Sequence, residues 1–239
     1  RGDSLIINKC HISGAQLEGG VGLSGGYLNI DSTSITENAE NGIYLLNYGS
    51  AIVTNSVITK NGGDGISAGS GSITLKNNRI GVDGKGNAAG NRIGVNVYSN
   101  TTGSIIEDNI IAGNDSTGII INGGTTNVIK GNYIGTDKDF NNLGNGSDGL
   151  FIGGRCSVTF QSSLDSANYI GFNKKHGIYS QAMTLGNVSF NYIGVTPQGD
   201  PMPNGKYGVY LETSRSYTTI KGNLIGFNGE GGVHYEDNN

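Results

Sequence analysis

The most constraining feature of this sequence is a short motif that returns along the whole chain. Its form is asparagine, any residue, isoleucine and a small residue, as in Asn132-Tyr133-Ile134-Gly135, and weaker upstream copies keep only the isoleucine. In chain order, the nine repeated isoleucines are Ile12, Ile35, Ile58, Ile80, Ile111, Ile134, Ile170, Ile193 and Ile225. Most steps between them are 22 or 23 residues and three are longer, which indicates nine repeats with insertions.

Each repeat holds three apolar positions among polar neighbours. One lies five residues before the repeated isoleucine, one is that isoleucine, and one follows a glycine. The first column reads Ile7, Ile30, Val53, Leu75, Ile106, Ile129, Val188 and Ile220, with Asp165 as the exception. The third column reads Val21, Ile43, Ile66, Val95, Ile119, Leu150, Ile178, Val209 and Val233. This pattern predicts three short strands per turn and is too short-ranged for a helix.

A single turn of this kind cannot bury its own apolar residues, so nine turns are expected to stack and share one core. The asparagine two residues before each isoleucine should form an internal hydrogen-bonded stack, and it tolerates the left-handed backbone of a sharp corner. These asparagines are Asn78, Asn109, Asn132, Asn168, Asn191 and Asn223. A second corner is marked by glycines, at which a Cβ would be costly: Gly42, Gly65, Gly94, Gly118, Gly149, Gly177, Gly208 and Gly232.

With this periodicity, the chain resembles the right-handed parallel β-helix of the pectin-lyase-like superfold over essentially its whole length. The run from Asn132 to Asp137, continued at Gly144 to Gly149, also resembles repeats of large secreted and cell-surface bacterial proteins. The resemblance implies an all-β solenoid of about nine turns, secreted or on a cell surface. Because that superfold carries lyases, hydrolases, epimerases, tailspikes and stalks, it does not by itself imply an activity.

The composition indicates which classes of partner the protein is not expected to bind. Charged residues make up 14% of the chain and the net charge is −4, which gives no basic footprint for nucleic acid. No apolar run of about 18 residues occurs, so membrane insertion is not expected. Cys10 and Cys156 fall in the first and sixth repeats, too far apart for a disulfide, and both are expected to be buried fillers.

The sequence begins without methionine and starts and stops within a repeat. We therefore expect residues 1–239 to form a single β-helix domain of a longer protein that has flanking domains.

Three long connections interrupt the repeats and leave the same corner in turns four, six and eight; they cover residues 81–92, 135–148 and 194–207. Solenoids usually place function on such a face. Asp83, Asp137 and Asp139 supply oxygen ligands suited to calcium, although acidic residues also serve simply as turn formers. Asp137 and Asp139 with Lys138 or Arg92 could instead supply the carboxylates and the cation of a polysaccharide lyase.

Aromatic residues are concentrated in turns six to eight. Side chains alternate across a strand, so a residue beside an inward isoleucine points outward and its copies form an exposed stripe. Flat rings with polar tips suit sugars, which predicts binding of a polysaccharide or cell-surface glycan, whereas aromatic stacking can also merely stabilise strands. The candidate residues are Tyr133, Tyr169, Tyr192, Phe151, Tyr179 and Tyr210.

A hydrolytic centre is not expected, although His176-Gly177-Ile178 invites comparison with the Gly-His-Gly segment of polygalacturonases. The residue before the corner glycine changes freely between repeats, which we interpret as a surface position. Asp64-Gly65-Ile66 invites the same comparison with the aspartate segments of polygalacturonases, but Asp64 and His176 would lie about 19 Å apart along the stack, too far for one site. The sequence favours a structural or adhesive role with carbohydrate binding. The alternative is a lyase or epimerase acting on an acidic polysaccharide.

Overall fold

The computed structural model describes residues 3–101, 103–154, 156–160, 164–181, 186–212 and 218–237. Within these ranges the chain winds into nine coils, which we call rungs one to nine, and every strand pairs in parallel with its copy in a neighbouring rung. The predicted all-β parallel β-helix of about nine turns is confirmed. Among the described residues, no helix is long and apolar enough to cross a membrane.

Each rung contributes one strand to each of three faces. The first sheet contains Ser4–Asn8, Tyr27–Asp31, Ser50–Thr54, Ile73–Lys76, Ile105–Glu107, Asn127–Lys130 and Val158–Thr159, and a separate pair, Asn187–Ser189 and Thr219–Lys221, follows it. The second sheet contains His11–Ser13, Ser34–Thr36, Val57–Thr59, Arg79–Ile80, Ile110–Ile111, Tyr133–Ile134, Tyr169–Ile170, Tyr192–Ile193 and Leu224–Ile225. The third sheet contains Val21–Ser24, Ile43–Leu46, Ile66–Gly71, Val95–Thr101, Ile119–Asn122, Leu150–Ile152, Ile178–Ser180, Tyr207–Glu212 and Gly231–Glu236.

The repeated isoleucines form one buried column. Ile80 pairs with Ile111 and Ile111 with Ile134, and all three are fully buried. The prediction that Asp165 occupies the first apolar column in rung seven was wrong. In rung seven the first strand is Val158–Thr159, so Phe160 follows in register with Ile129 and is 2% exposed. Asp165 lies in the short 3₁₀ helix Leu164–Ser166, because the extra residues enter after the strand and not within it.

The predicted asparagine stack is present at the corner between the first two sheets. The backbone N and Nδ2 of Asn109 both donate to Oδ1 of Asn132, each at an N···O distance of 3.0 Å. The left-handed residue, however, is the one before the ladder position in every rung except rung seven, where Ala167 precedes Asn168. Asn77 and Asp108 have φ values of 56° and 57°. The prediction was one residue out, because the reversal must come first for the next side chain to turn inward.

A second asparagine ladder, not predicted above, lines the corner between the second and third sheets. Its side chains are joined by Nδ2-to-Oδ1 hydrogen bonds of 2.8 to 3.2 Å. The members are Asn38, Asn61, Asn91, Asn114, Asn145, Asn173, Asn204 and Asn228. Almost every member lies four residues before a corner glycine, a spacing that the sequence does contain.

The corner glycines are required by close approach of neighbouring rungs. A Cβ on Gly149 would lie 2.7 Å from the carbonyl oxygen of Gly177 and 2.8 Å from Nδ2 of Asn173. The predicted cost of a Cβ at this corner therefore comes from the next rung's backbone and from the second ladder. Neither cysteine is in a disulfide; Cys156 is buried as expected, whereas Cys10 is exposed because it lies in the first rung.

Replacing a ladder asparagine should destabilise the coil. Asn132→Ala removes the acceptor of the buried backbone N of Asn109 and the donor to the carbonyl of Ile106, and each unsatisfied buried group costs about 1–3 kcal/mol. The Nδ2 of Asn109 keeps the carbonyls of Leu75 and Glu107 as acceptors. We expect the free energy of unfolding to fall by about 2–4 kcal/mol in chemical denaturation. The exposed Asn142→Ala is the matched control and should change it by less than about 0.5 kcal/mol. Equal effects of the two substitutions would contradict this account of the ladder.

Candidate functional site

The position before the corner glycine is buried in rungs three to seven and half-buried in rungs two, eight and nine, contrary to its interpretation as a surface position. Asp64, Asp148 and His176 are 2%, 6% and 7% exposed, respectively. Adjacent rungs lie close enough for their side chains to cover this position. Over Asp64, for example, Arg92 Nη2 lies 2.9 Å from one carboxylate oxygen and Asn96 Nδ2 lies 2.8 Å from the other. Free variation between repeats therefore does not indicate exposure in a coil of this kind.

Three of these positions are hydrogen-bonded in series in rungs six to eight. The backbone N of His176 donates to Oδ1 of Asp148 at a distance of 2.9 Å. The backbone N of Tyr207 donates to Nδ1 of His176 at 3.3 Å. Burial lowers the pKa of His176, so the imidazole is neutral near pH 7. Because Nδ1 accepts a hydrogen bond, the ring proton is on Nε2, which is the nitrogen left to donate.

Aromatic rings from rungs seven to nine gather around His176. The His176 ring stacks on Tyr210 with centroids 4.8 Å apart, and Tyr207 and Tyr210 each stack on His234. Tyr179 lies beside them, 5.2 Å from Tyr210. The rings therefore cover one another's faces within the stack and present their edges and polar tips to the outside.

These rings line a cleft of about 430 Å³ on the outer face of the third sheet, between rungs six and nine. Its rim carries two lysines, Lys175 and Lys206, together with Glu212 and Glu230. Lys206 Nζ lies 4.0 Å from Glu230 Oε1. The cleft therefore combines cations, carboxylates, a neutral imidazole and phenol groups within reach of one ligand.

The tyrosine hydroxyls in the cleft hold their protons tightly. Tyr179 and Tyr210 donate to the carboxylates of Glu212 and Glu236. The hydrogen bond to Glu236, aided by burial, raises the pKa of Tyr210 to about 12. Burial, with the hydrogen bond to Glu212, also raises the pKa of Tyr179. These two hydroxyls therefore orient the glutamates, and neither is poised to act as a base.

The sequence predicted half of this cluster. Phe151, Tyr179 and Tyr210 occupy one outward column, and their rings meet at 5.3 and 5.2 Å between neighbours. His176 and Tyr207 were missed because their column was assigned to the surface. His234, which pairs with Tyr210 in the third sheet, was not among the predicted site residues.

The other predicted aromatic stripe forms a closed stack on the second sheet. Tyr169 lies between Tyr133 and Tyr192, with ring centroids 4.7 and 5.2 Å away and nearly parallel planes. Phe140, from the second long connection, packs edge-on against Tyr169 at 5.5 Å. Burial raises the pKa values of Tyr133 and Tyr169. Both faces of the central ring are covered, which is the geometry expected of a stack that stabilises strands.

The acidic residues of the long connections mostly organise their own turns. Oδ1 of Asp137 accepts hydrogen bonds from the backbone N of Asp139 and of Asn141, at 3.0 Å each. Asp83 does the same in the first connection, and these hydrogen bonds, led by those from Asn87, lower its pKa. Among the described residues, no three His, Cys, Asp or Glu side chains form a metal-binding group. Calcium binding at Asp83, Asp137 and Asp139 stays a prediction.

The residues named for a lyase lie in two places. Asp137, Lys138 and Asp139 line a cleft on the second sheet. Arg92 instead pairs with Asp64 at the corner of the third sheet. A catalytic role for Asp137, Asp139 and Lys138 together with Arg92 stays a prediction. Arg92 is paired with the carboxylate of Asp64.

Comparison with known proteins identifies the family. Residues 19–179, more than half of the chain, match the family described as "Right handed beta helix region". This chain belongs to the right-handed β-helix family. No curated protein sequence matches it at a significant level.

Two solved structures resemble this right-handed β-helix. One is the A-module of the mannuronan C-5 epimerase AlgE4 of Azotobacter vinelandii, with a TM-score of 0.64 and 14% identity over 95% of this chain and 63% of that one. The other is the periplasmic alginate epimerase AlgG, with a TM-score of 0.62 and 15% identity over 90% of this chain and 60% of that one. This chain thus spans less than two thirds of either structure, and at this identity the likeness shows the fold alone.

The burial of His176 predicts a pH dependence of stability. A histidine whose pKa is lowered by folding takes up a proton more readily in the unfolded chain, so its stabilising contribution is present above about pH 6.5 and falls as the pH drops below that value. We expect wild type to lose more stability than His176→Gln between about pH 7.5 and 5.5. Denaturation at both pH values measures the difference. An NMR titration placing the pKa of His176 above 6.5 would contradict the prediction.

Proposed function

We propose that this right-handed β-helix binds a polysaccharide in the cleft on its third sheet, in a structural or adhesive role. The observation that carries the proposal is the gathering of His176, Tyr207, Tyr210 and His234 with two lysines in one open cleft. Polar ring edges and long charged side chains can hydrogen-bond to sugar hydroxyls along an extended ligand. The cleft runs along the stack over several rungs, which suits a chain polymer better than a compact small molecule.

The two lysines at the rim, rather than the summed charge of the lining, favour an acidic polysaccharide, since the lining holds two lysines and three carboxylates. Its carboxylates are already engaged: Asp148 accepts from His176, Glu212 accepts from Tyr179 and Gln181, and Glu230 faces Lys206. Among the described residues, Lys175 has no carboxylate within 4.0 Å. Lys175, Lys206 and the Nε2 proton of His176 are therefore the donors best placed for carboxylates on a ligand.

A polysaccharide ligand is consistent with the names of two proteins that share this fold. AlgE4 and AlgG are epimerases of mannuronan and alginate, and both share this coil. AlgG is periplasmic, and we extend to this chain a location outside the inner membrane, secreted or on a cell surface. The aromatic stripe of Tyr133, Tyr169 and Tyr192 is the alternative carbohydrate contact, through its edges and hydroxyls rather than its covered faces.

The lysines of the cleft provide the test of binding. We expect the double variant Lys175→Ala, Lys206→Ala to bind polygalacturonate or polymannuronate at least about tenfold more weakly, because charge-assisted hydrogen bonds are each worth about 1.5–3 kcal/mol. Lys174→Ala, the exposed neighbour that does not line the cleft, is the matched control and should bind like wild type. Affinity electrophoresis or calorimetry measures the affinities. Loss of binding only on joint replacement of Tyr133, Tyr169 and Tyr192 by alanine would move the site to the second sheet.

A second candidate function is lyase or epimerase chemistry on the same acidic polysaccharide. The favouring observation is that Tyr207 lies in the cleft beside the neutral His176 and close to both lysines. Removing the proton next to a uronate carboxylate requires the carboxylate charge to be offset and a proton acceptor to be near. Lys175, Lys206 and Nε2 of His176 would provide the first. Tyr207 would accept the proton in its phenolate form and would end the step as the neutral phenol.

Tyr207→Phe separates catalysis from binding. If the cleft is catalytic, this substitution should lower turnover at least about a hundredfold while polysaccharide affinity changes by less than about threefold. The ultraviolet absorbance of unsaturated uronates reports a lyase, and NMR of the C-5 configuration reports an epimerase. Absence of both products from wild type with polymannuronate, polyguluronate and polygalacturonate would leave the binding function alone.

A further inference from the structure

The three long connections create two gaps on the second sheet. They leave it in rungs four, six and eight, so rungs five and seven each lie between two protruding connections. The first and third connections fold back in the same way, with antiparallel bridges from Val82 to Ala88 and from Val195 to Pro201. The two gaps therefore have similar walls, and they differ in what lies on their floors.

The gap at rung seven is filled by aromatic rings. Tyr169 stands on its floor, stacks between Tyr133 and Tyr192, and is covered by Phe140 from the second connection. The gap at rung five has Ile110 at the equivalent position, paired in register with Arg79 and Tyr133. This shorter side chain leaves a cleft of about 540 Å³ between the first two connections.

An unpaired arginine lies at the base of this cleft. Nε of Arg79 is buried and has no hydrogen-bond partner among the described residues. Its Nη2 lies beneath the first connection, 3.7 Å from where a Cβ on Gly86 would be. A buried guanidinium nitrogen without a partner is costly. Because Nε itself is enclosed, a ligand in the cleft would bind through the terminal nitrogens of this half-buried side chain.

Two further cations face the same cleft, Lys85 from the first connection and Lys138 from the second. Neither they nor Arg79 has a carboxylate within 4.0 Å in the part of the chain that the structure describes. Three aspartates also line the cleft. Asp137 is committed to its own turn, Asp108 lies 3.9 Å from Lys76, and Asp139 is at the rim.

We propose that this cleft is a second binding site, for a sugar that carries a carboxylate. The planar guanidinium of Arg79 matches a carboxylate in two parallel hydrogen bonds, and Lys85 and Lys138 add positive charge from both walls. Ile110 lines the cleft with a small apolar surface, since it is 7% exposed and packed against Tyr133 and Leu143. The aspartates can accept hydrogen bonds from the hydroxyls of the sugar. The site lies on the second sheet, a different face from the cleft around His176, so it does not depend on the function proposed for that cleft.

Two substitutions test the site by different means. Arg79→Gln removes the guanidinium fork and should weaken binding of D-glucuronate at least about tenfold. Ile110→Tyr should abolish this binding, because the new ring would continue the stack of Tyr133 and fill the gap as Tyr169 fills the other. Lys221→Gln, at an exposed lysine of the separate strand pair that follows the first sheet, is the matched control and should bind like wild type.

Isothermal titration calorimetry with D-glucuronate, and with glucose as the neutral sugar, measures the affinities. Thermal unfolding shows that each variant is folded. Wild type should bind glucuronate and not glucose, and the double variant Lys175→Ala, Lys206→Ala should retain this binding. Absence of glucuronate binding in wild type, or undiminished binding by folded Arg79→Gln or Ile110→Tyr, would overturn the proposal. Loss in the double lysine variant alone would assign the binding to the third sheet.

Discussion

Hydrogen bonding inside two tight corners is the constraint on which this coil depends. Each rung turns sharply within a dry interior, and the backbone groups of those turns need partners there. The asparagines supply them: Asn132 accepts from two donors of Asn109 and donates to the carbonyl of Ile106. In the earlier rungs Thr33 and Ser56 take the same place with their hydroxyl groups. The isoleucine column can be continuous because the polar groups beside it are satisfied.

The fold could be predicted from the sequence because the coil converts sequence period directly into spatial neighbours. Once Ile80, Ile111 and Ile134 were aligned, the parallel register, the number of turns and the places of the long connections followed. The errors were local. The left-handed residue lies one place before the ladder asparagine, as at Asp108, and rung seven hides its register because Phe160 lies before an inserted helical turn. Both errors concern backbone geometry, which an alignment of the repeats does not contain.

The candidate site was less predictable, because alignment tells which residues are neighbours and not which are covered. Phe151, Tyr179 and Tyr210 were found as an outward column, whereas His176 and Tyr207 were dismissed for varying between repeats. In the structure that variation is what makes the cleft, since Asp148, His176 and Tyr207 are three different groups joined by hydrogen bonds. Likewise, the stripe expected of Tyr133, Tyr169 and Tyr192 is a half-buried stack in which both faces of the central Tyr169 are covered.

The ladders also give the coil an electrical direction. In both ladders each amide donates to the oxygen of the following rung and accepts from the preceding one, as from Asn114 to Asn145 and from Asn145 to Asn173. The side-chain dipoles therefore add along the axis, with N–H groups pointing one way and oxygens the other. A turn joining the coil on the N–H side must bring an acceptor, and one joining on the oxygen side must bring a donor. The two ends of each ladder are consequently different, one presenting N–H donors and the other oxygens. Inverting a rung within the stack would place donor against donor and oxygen against oxygen.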